Sequence, residues 1–423
     1  MKPKKIALYG NFGSGNLGNE CTLQVVIERL RRSWPDAQLL CIGADPHDIR
    51  ARHQVPAARG ALSDSRWTWA QFGRDATAPA PDDLTPPRPA SRAAKALRIA
   101  FRRIPRELLH WMRGLVLLWR ADMLLVPGTQ IVSDYLCGPS GWPYDLFKWS
   151  TLAALCRAER VFLSIGVGPL HHPLSRWLIR RSLLGARYRS YRDEASRLCA
   201  AGLGLPAPRG AVFPDLVFSF SPARLGAETG SAAASAVVGL GLKDYAAADD
   251  AVHRQYLQTM AGFAAWLDAR GYRVRLLIGD AQYDDRPRRE LCALLQRRPN
   301  PVHPLPIEAD ASFGVADLLA QLRATELVVS PRLHNLILAA LLGKPLLALS
   351  DHSKLDALLA GFGLTEYCVP LENLSLDTLV GRFQALERDA VRVKAQIHST
   401  AARYREALEA QYSQVFPAAG AAP

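Results

Sequence analysis

Three side chains that suit anion binding and proton transfer lie within residues 328–354, VVSPRLHNLILAALLGKPLLALSDHSK. Arg332 and His334 follow a short apolar run that predicts a buried strand, and an apolar helix begins directly after them. The free N–H groups at a helix amino terminus favour anions, and a guanidinium can grip phosphate or carboxylate with two hydrogen bonds. An imidazole titrates near neutral pH, so His334 suits general-acid catalysis.

The third of these side chains, Lys354, follows the next predicted strand together with Asp351. Because the carboxyl ends of parallel strands meet at one edge of a sheet, the two loops can reach the same ligand. The plainer interpretation is that Arg332 and His334 cap a helix and pair with carboxylates. An arginine, a histidine and a lysine on adjacent strand-end loops favour an anion site over that interpretation.

Strand and helix patterns alternate along the chain. An apolar run at 6–9, a loop rich in glycine and asparagine, a helical pattern at about 21–33 and a strand at 39–42 form a βαβ start. A second βα series begins after a linker at 223–235. We therefore predict an α/β fold with two Rossmann-like, open parallel-sheet domains, 1–222 and 236–423, that face each other across a cleft as in glycosyltransferase-B folds.

The two predicted domains carry additional segments. An insertion rich in Ala, Pro, Arg and Asp is predicted at about 52–91, and a basic helical stretch follows at 91–120. Pro105 is expected to kink or split that helix. One long helix at about 375–409 is expected to pack back across both halves.

The formal net charge is +13, and most of the excess is arginine. A basic balance suits nucleic acid, a membrane surface or an anionic substrate. The sequence has no zinc-finger spacing, RNA-binding aromatic motif or basic zipper, so no nucleic-acid partner is expected. The stretch 91–120 mixes arginine with large apolar residues, which is typical both of a helix on an anionic membrane and of a helix with a solvated basic face.

The seven cysteines are scattered and form no CxxC pair, which indicates free thiols in a reducing compartment. The sequence shows neither a signal-peptide pattern nor an uncharged run of about 18 residues. We therefore expect a cytoplasmic protein, with peripheral contact at the inner membrane face through 91–120. The adjacent pair His171 and His172 is a poor metal template, so neither a metal nor a cofactor is expected.

The order of several short motifs resembles that of the polysaccharide pyruvyltransferase family. In the C-terminal half these motifs are Arg332-Leu333-His334, an apolar helix, Gly343-Lys344-Pro345 and Lys354. The upstream motifs are a Gly-x-Gly-Pro turn at 164–170, an Arg-Asp-x-x-Ser element at 192–196, a strand that ends in Asp215, and a Gly-Asp and Asp-Asp loop at 278–285. The similarity runs over most of the chain in the family's order, which is far more specific than any single motif.

The resemblance implies that a pyruvyl group moves from phosphoenolpyruvate to a sugar diol of a lipid-linked polysaccharide precursor, with a ketal and phosphate as products. It gives His334 the general-acid role. It assigns Arg192, Arg332, Leu333 and Lys354 to phosphoenolpyruvate binding. It also implies that the C-terminal domain is the donor side and the N-terminal domain the acceptor side, with phosphoenolpyruvate as a substrate rather than a cofactor.

Two departures from the family pattern affect the acceptor side. Asn19 stands where the family's Gly-Asn-x-Gly-Asp-Glu loop has an aspartate, so any role of that aspartate passes to Glu20 or is lost. The family's glycine-rich sequence after the central strand is replaced at 127–131, and Asp134 follows it. The acceptor-binding candidates are Asn16, Asn19, Glu20 and Asp134.

The base that assists the sugar hydroxyl has three candidates. These are Glu20, Asp134 and Asp193. For Asp193 the simpler interpretation is a helix N-cap or a partner of Arg192.

Two other functions fit the same sequence. A nucleotide-sugar glycosyltransferase would share the two-domain architecture and the anion-binding helix terminus, but the sequence shows no convincing base-recognition signature. A catalytically inactive sugar- or membrane-binding homologue would keep acceptor affinity without releasing phosphate. Thermal shift with phosphoenolpyruvate against UDP-sugars distinguishes a glycosyltransferase from a pyruvyltransferase. Phosphate release from phosphoenolpyruvate distinguishes an active enzyme from an inactive homologue.

Overall fold

The computed structural model describes residues 4–61, 92–129, 131–134, 137–205, 212–225, 236–245, 250–280, 283–300, 302–304, 314–351 and 353–417. Most of the predicted insertion at 52–91 and of the predicted linker at 223–235 lies outside the described residues.

The strands are short, and most are buried along nearly their whole length. They are β1 (Lys5–Tyr9), β2 (Gln38–Gly43), β3 (Ala57–Arg59), β4 (Met123–Pro127), β5 (Glu159–Ile165), β6 (Tyr188–Tyr191), β7 (Val237–Gly241), β8 (Arg273–Leu277), β9 (Leu327–Ser330), β10 (Leu346–Ser350) and β11 (Cys368–Pro370). Continuous apolar runs of this kind are typical of parallel sheets that are covered on both faces.

Helices connect the strands. They are α1 (Leu17–Ser33), α2 (Pro46–His53), α3 (Arg92–Leu118), α4 (Trp142–Leu155), α5 (Pro173–Leu183), α6 (Glu194–Ala201), α7 (Pro222–Leu225), α8 (Asp250–Ala269), α9 (Asp285–Gln296), α10 (Val315–Arg323), α11 (Leu333–Leu341), α12 (Ser353–Phe362), α13 (Leu376–Arg388) and α14 (Ala390–Val415). A 3₁₀ turn, Leu216–Ser219, precedes α7.

The chain divides into two compact units, each built on one parallel sheet. The first unit holds the described residues of Met1–Gly13 and Asp36–Val212, and its strand order is β3-β2-β1-β4-β5-β6. The second unit holds those of Ser14–Pro35 and Phe213–Pro423, and its order is β11-β10-β9-β7-β8. The prediction of two Rossmann-like parallel-sheet units is therefore confirmed. In each sheet the strand order reverses once, where open α/β sheets bind ligands.

Helix α1 belongs to the second unit, although the sequence placed all of 1–222 in one N-terminal domain. Its apolar face, which includes Leu23, Val26 and Leu30, is fully buried. The helix packs on the 3₁₀ turn and on α11. The backbone N–H of Leu17 also donates to the Gly279 carbonyl oxygen at 3.1 Å, so the start of α1 is fixed to the loop after β8.

The long C-terminal helix is present as α14, but the single helix predicted at about 375–409 is interrupted. Helix α13 ends at Arg388 and α14 begins at Ala390, with Asp389 at φ −93° and ψ 4° between them. The Asp389 carboxylate accepts hydrogen bonds from the Tyr367 hydroxyl at 2.6 Å and from Arg392 at 3.0 Å. The bond from Tyr367 is a tertiary contact and that from Arg392 a local one, and the apolar periodicity does not reveal the break at which they meet. Within the second unit, α14 packs on the 3₁₀ turn and on α11.

Helix α3 continues through Pro105 and is not split there. Its inner side packs on α4, where the Trp111 indole N–H donates to the Tyr144 hydroxyl at 3.0 Å. The Tyr144 hydroxyl in turn donates to Glu107 at 2.9 Å. These contacts hold the turns that follow Pro105 on the first unit.

Candidate functional site

Polar side chains gather at the carboxyl edge of the second sheet. Lys243 follows β7, Asp284 lies in the loop after β8, Arg332 follows β9 and Asp351 follows β10. The order of strands reverses between β9 and β7, so Arg332 and Lys243 flank the position where ligands bind to sheets of this kind.

Arg332 is held in place by a buried carboxylate. Its Nη2 donates to Asp284 Oδ1, and its Nε donates to the Leu242 carbonyl oxygen at 3.2 Å. Asp284 Oδ2 accepts the backbone N–H groups of Gly279 at 2.8 Å and Asp280 at 2.9 Å. The plainer interpretation of Arg332, pairing with a carboxylate, is therefore observed, and the same pairing gives its guanidinium a fixed orientation.

Burial dominates the electrostatics of this pair. It raises the pKa of Asp284 to about 6, against the lowering by Arg332 and by the two backbone N–H groups. Burial is the largest single influence on Arg332 and lowers its pKa, but the charges of Asp284 and Asp280 and the hydrogen bond to Asp284 together raise the pKa above its ordinary value, so the guanidinium stays charged. The side chain of Asp284 is only 1% exposed, whereas that of Arg332 is 18% exposed.

A second ion pair, between Lys243 and Asp351, lies at the same edge. Burial lowers the pKa of Lys243, and Asp351 opposes this. The Nζ atom of Lys243 also lies 5.4 Å from the centre of the Tyr245 ring. Lys243 was not among the site residues predicted from the sequence, although, like Arg332, it lies two residues after a buried strand.

His334 lies in the first turn of α11, with its imidazole between Gly18 and Asp215. Its Nε2 is 3.8 Å from Asp215 Oδ2. A Cβ atom on Gly18 would approach its Nδ1 to 1.9 Å, so the ring packs directly on the backbone of α1. The other oxygen of Asp215 accepts the Val217 backbone N–H at 3.0 Å, which fixes the carboxylate.

Three acceptor candidates lie at the start of α1 and therefore in the same unit as His334. Asn16 caps the helix, because its Oδ1 accepts from the backbone N–H groups of Gly18 at 3.1 Å and Asn19 at 3.3 Å. Its Nδ2 donates to Asp280 Oδ2 at 3.2 Å. Asn19 is half-buried, and Glu20 is only 1% exposed.

The remaining donor candidates of the second unit lie at helix starts. Leu333 is the first residue of α11, and Lys354 is the second residue of α12. Both side chains are half-buried. Their proposed contact with phosphoenolpyruvate stays a prediction.

Arg192 belongs to the first unit, where it follows β6. Its backbone N–H donates to the Ile165 carbonyl oxygen at 3.0 Å, and its Nη2 would lie 3.0 Å from a Cβ on Gly166. Asp193 caps α6 by accepting the Ser196 N–H at 2.7 Å, and it also lies 3.6 Å from Arg192 Nε. Two family-like motifs, the glycine turn and the Arg-Asp-x-x-Ser element, thus meet at adjacent strand ends.

Asp134 anchors a loop of the first unit. Its carboxylate accepts the backbone N–H groups of His171 at 3.0 Å and His172 at 2.8 Å, just before α5. Burial raises the pKa of Asp134, but these hydrogen bonds outweigh it and hold the pKa below its ordinary value. This arrangement explains why a carboxylate occurs here, and an acceptor-binding role of Asp134 stays a prediction.

Among the residues that the structure describes, no three His, Cys, Asp or Glu side chains are grouped so that they could hold a metal ion. The seven cysteines form no disulfide.

Two Rossmann-type units, with charged groups at the strand ends of the second, define a protein of the glycosyltransferase-B fold class. The fold is similar to that of the UDP-GlcNAc 2-epimerase from Neisseria meningitidis bound to UDP-GlcNAc, with a TM-score of 0.53, 12% identity, and coverage of 96% of this chain and 100% of the other. A putative UDP-N-acetylglucosamine 2-epimerase from Listeria monocytogenes gives a TM-score of 0.55 at 11% identity, with coverage of 98% of this chain and 97% of the other. S. aureus MnaA in complex with UDP gives a TM-score of 0.55 at 9% identity, with coverage of 100% of this chain and 99% of the other. At such low identity these similarities show the fold alone.

The model of the family described as polysaccharide pyruvyl transferase matches residues 16–353, so the chain belongs to this family. This confirms the resemblance that the order of the motifs indicated. No curated protein matches the sequence.

The pKa of Asp284 predicts how stability depends on pH. Because the folded state holds this carboxyl's proton more tightly than the unfolded chain does, its contribution to stability is full below about pH 4 and is lost as the pH rises through about 6. Relative to Asp284→Asn, the wild type should therefore gain about 2–3 kcal/mol in free energy of unfolding between pH 7 and pH 4.5. Urea titrations at several pH values measure this difference.

The control for the titrations is Asp285→Asn, which removes the neighbouring carboxylate at the first position of α9. Its side chain is 43% exposed, so we expect a smaller pH effect. A wild type that loses stability relative to Asp284→Asn on acidification would contradict the electrostatics described for this pair.

Proposed function

We propose that this protein transfers a pyruvyl group from phosphoenolpyruvate to two hydroxyls of a saccharide, forming a ketal and releasing phosphate. The proposed acceptor is a lipid-linked polysaccharide precursor at the inner membrane face. The observation that carries the proposal is the carboxyl edge of the second sheet, where the buried Asp284 carboxylate holds Arg332 and the His334 imidazole lies 3.8 Å from the buried Asp215 carboxylate. In a member of this family, these groups suit a small dianion and a proton transfer to it.

The donor has a phosphate and a carboxylate, and the second unit offers cations for both. The Arg332 guanidinium is oriented by Asp284, and the amino terminus of α11 supplies N–H groups beside it. Lys354 and Lys243 are the proposed ammonium ligands. Lys243 is paired with Asp351, so a phosphate that binds there competes with a carboxylate. The family resemblance also assigns Arg192 and Leu333 to the donor.

The proposed chemistry begins when His334 donates a proton to the CH₂ carbon of the enol, which becomes the methyl group. One sugar hydroxyl attacks the resulting cationic carbon. Phosphate then leaves, with its charge balanced by Arg332 and the lysines, and the second hydroxyl closes the ring. Of the two hydroxyl protons lost by the diol, one replaces the proton that His334 gave to the methyl group, and the other leaves with phosphate.

Glu20 is the proposed base for the attacking hydroxyl. It lies two residues after Gly18, on which the His334 ring packs. The other two candidates, Asp134 and Asp193, use their carboxylates to accept backbone N–H groups. Glu20 is preferred because it belongs to the same unit as His334.

The general-acid role predicts a specific loss of activity in His334→Ala. Phosphate release from phosphoenolpyruvate with a suitable acceptor should fall by about 10²–10⁴-fold, because general-acid catalysis contributes that much. Mass spectrometry of the oligosaccharide should show a pyruvyl adduct with the wild type only. His398→Ala, which changes an exposed histidine of α14, is the matched control and should stay active.

Two outcomes would overturn this proposal. The first is a wild type that neither releases phosphate nor forms an adduct with any member of a panel of lipid-linked oligosaccharides. The second is a His334→Ala protein that is as active as the wild type.

The packing of His334 on Gly18 predicts that Gly18→Ala lowers the rate without unfolding the protein. The added methyl group displaces the imidazole, and a displacement of about 1 Å can cost about 100-fold in kcat. Gly381→Ala is the matched control, since Gly381 is also helical and a Cβ there meets nothing within 4 Å. Steady-state kinetics and thermal unfolding of both variants make the comparison. Equal kcat in the two variants would show that the position of His334 does not limit the rate.

A further inference from the structure

The outer side of α3 exposes large apolar side chains in a continuous stripe. Their exposed fractions are 56% for Ile104, 60% for Leu108, 64% for Met112, 76% for Val116 and 67% for Trp119. Successive members are three or four residues apart, so they lie on one side of the helix. Apolar surface of this extent usually marks an interaction site.

This stripe is distinct from the side of α3 that stabilises the first unit. Gly114 packs on Leu152 and Trp149 of α4, and Leu118 is completely buried. The helix thus has a buried apolar side and a second, exposed apolar side. Packing in the core of the unit explains why the buried side of α3 is apolar, but it does not explain the apolar residues on the exposed side.

Between Ile104 and Arg120 the exposed charged side chains are positive, and the exposed Asp122 follows two residues later. The positive side chains are those of Arg106, Arg113 and Arg120. The acidic residue of this part, Glu107, is turned towards α4, where Lys148 donates to it at 3.1 Å. The earlier turns of the helix add further basic residues in the sequence, namely Arg92, Lys95, Arg98, Arg102 and Arg103.

The stripe continues into a pocket at its carboxyl end. Leu117 and Trp119 form part of the wall of a cavity of about 400 Å³. The other lining residues come from β1, β2 and Pro56 and include the polar side chains of Lys5 and Gln38. The apolar residues that β1 contributes are buried, so the exposed apolar stripe is a feature of the helix itself.

We propose that this face of the first unit, the α3 stripe with its flanking arginines, docks on the surface of an anionic lipid bilayer. Apolar side chains on one side and arginine beside them are the composition of helices that lie in the membrane interface. No helix in the described part of the chain is long and apolar enough to cross a membrane, so the contact is peripheral. A second copy is disfavoured as the occupant, since the arginines of two such faces would repel each other.

The test is co-sedimentation with vesicles of phosphatidylcholine that contain either no or about one third phosphatidylglycerol. The wild type should bind the anionic vesicles and bind neutral ones weakly. Met112→Glu with Val116→Glu should weaken binding about 100-fold, because burial of each side chain contributes about 1.5 kcal/mol or more. Val391→Glu is the matched control, since Val391 is 84% exposed on α14, and it should bind like the wild type.

Three results would overturn the docking proposal. The wild type fails to bind anionic vesicles, the double variant binds them like the wild type, or light scattering shows a wild-type dimer that the double variant dissociates. The proposal does not depend on pyruvyl transfer. The double variant should release phosphate from phosphoenolpyruvate at the wild-type rate when the acceptor is water-soluble, so failure of docking and failure of the proposed reaction are distinguishable.

Discussion

The buried ion pair between Arg332 and Asp284 is the interaction on which the candidate site depends. Asp284 is bound by two backbone N–H groups of the loop after β8, and Arg332 is the N-cap of the helix after β9. The pair therefore ties two strand ends together where the strand order reverses. Removal of one partner leaves a charge buried without compensation, which is far more costly than loss of a surface pair. The same contact fixes the direction of a guanidinium that would otherwise be mobile.

The start of α1 is the second constraint, because it brings a distant part of the sequence to the histidine. Asn16 caps the helix and bonds to Asp280, and the Gly18 backbone supports the His334 ring. A residue larger than glycine cannot occupy that position without moving the imidazole. The loop that the sequence assigned to the acceptor side thus shares a compact unit with the proposed general acid from Ser14 onward. Asn16 and Gly18 have a structural reason, and the proposed base Glu20 lies in the first turn of α1.

Much of the architecture follows from periodicity, but side-chain partners do not. Buried strands such as β4 and β9 are short apolar runs ended by glycine, proline or serine, so two parallel sheets were predictable. The order of the motifs also identified the family. The break at Asp389 was not predictable, since it depends on contacts with Tyr367 and Arg392. The sequence likewise could not show that α1 joins the second unit, or that Lys243 pairs with Asp351, because such contacts link residues that are far apart along the chain.

The most direct test is calorimetric titration of phosphoenolpyruvate, and separately of UDP, into the wild type and into Lys354→Met. The account predicts that phosphoenolpyruvate binds the wild type, that the variant binds it more weakly by about tenfold or more, and that UDP gives no comparable heat. Tight binding of UDP without binding of phosphoenolpyruvate would contradict the account and would favour a nucleotide-sugar enzyme.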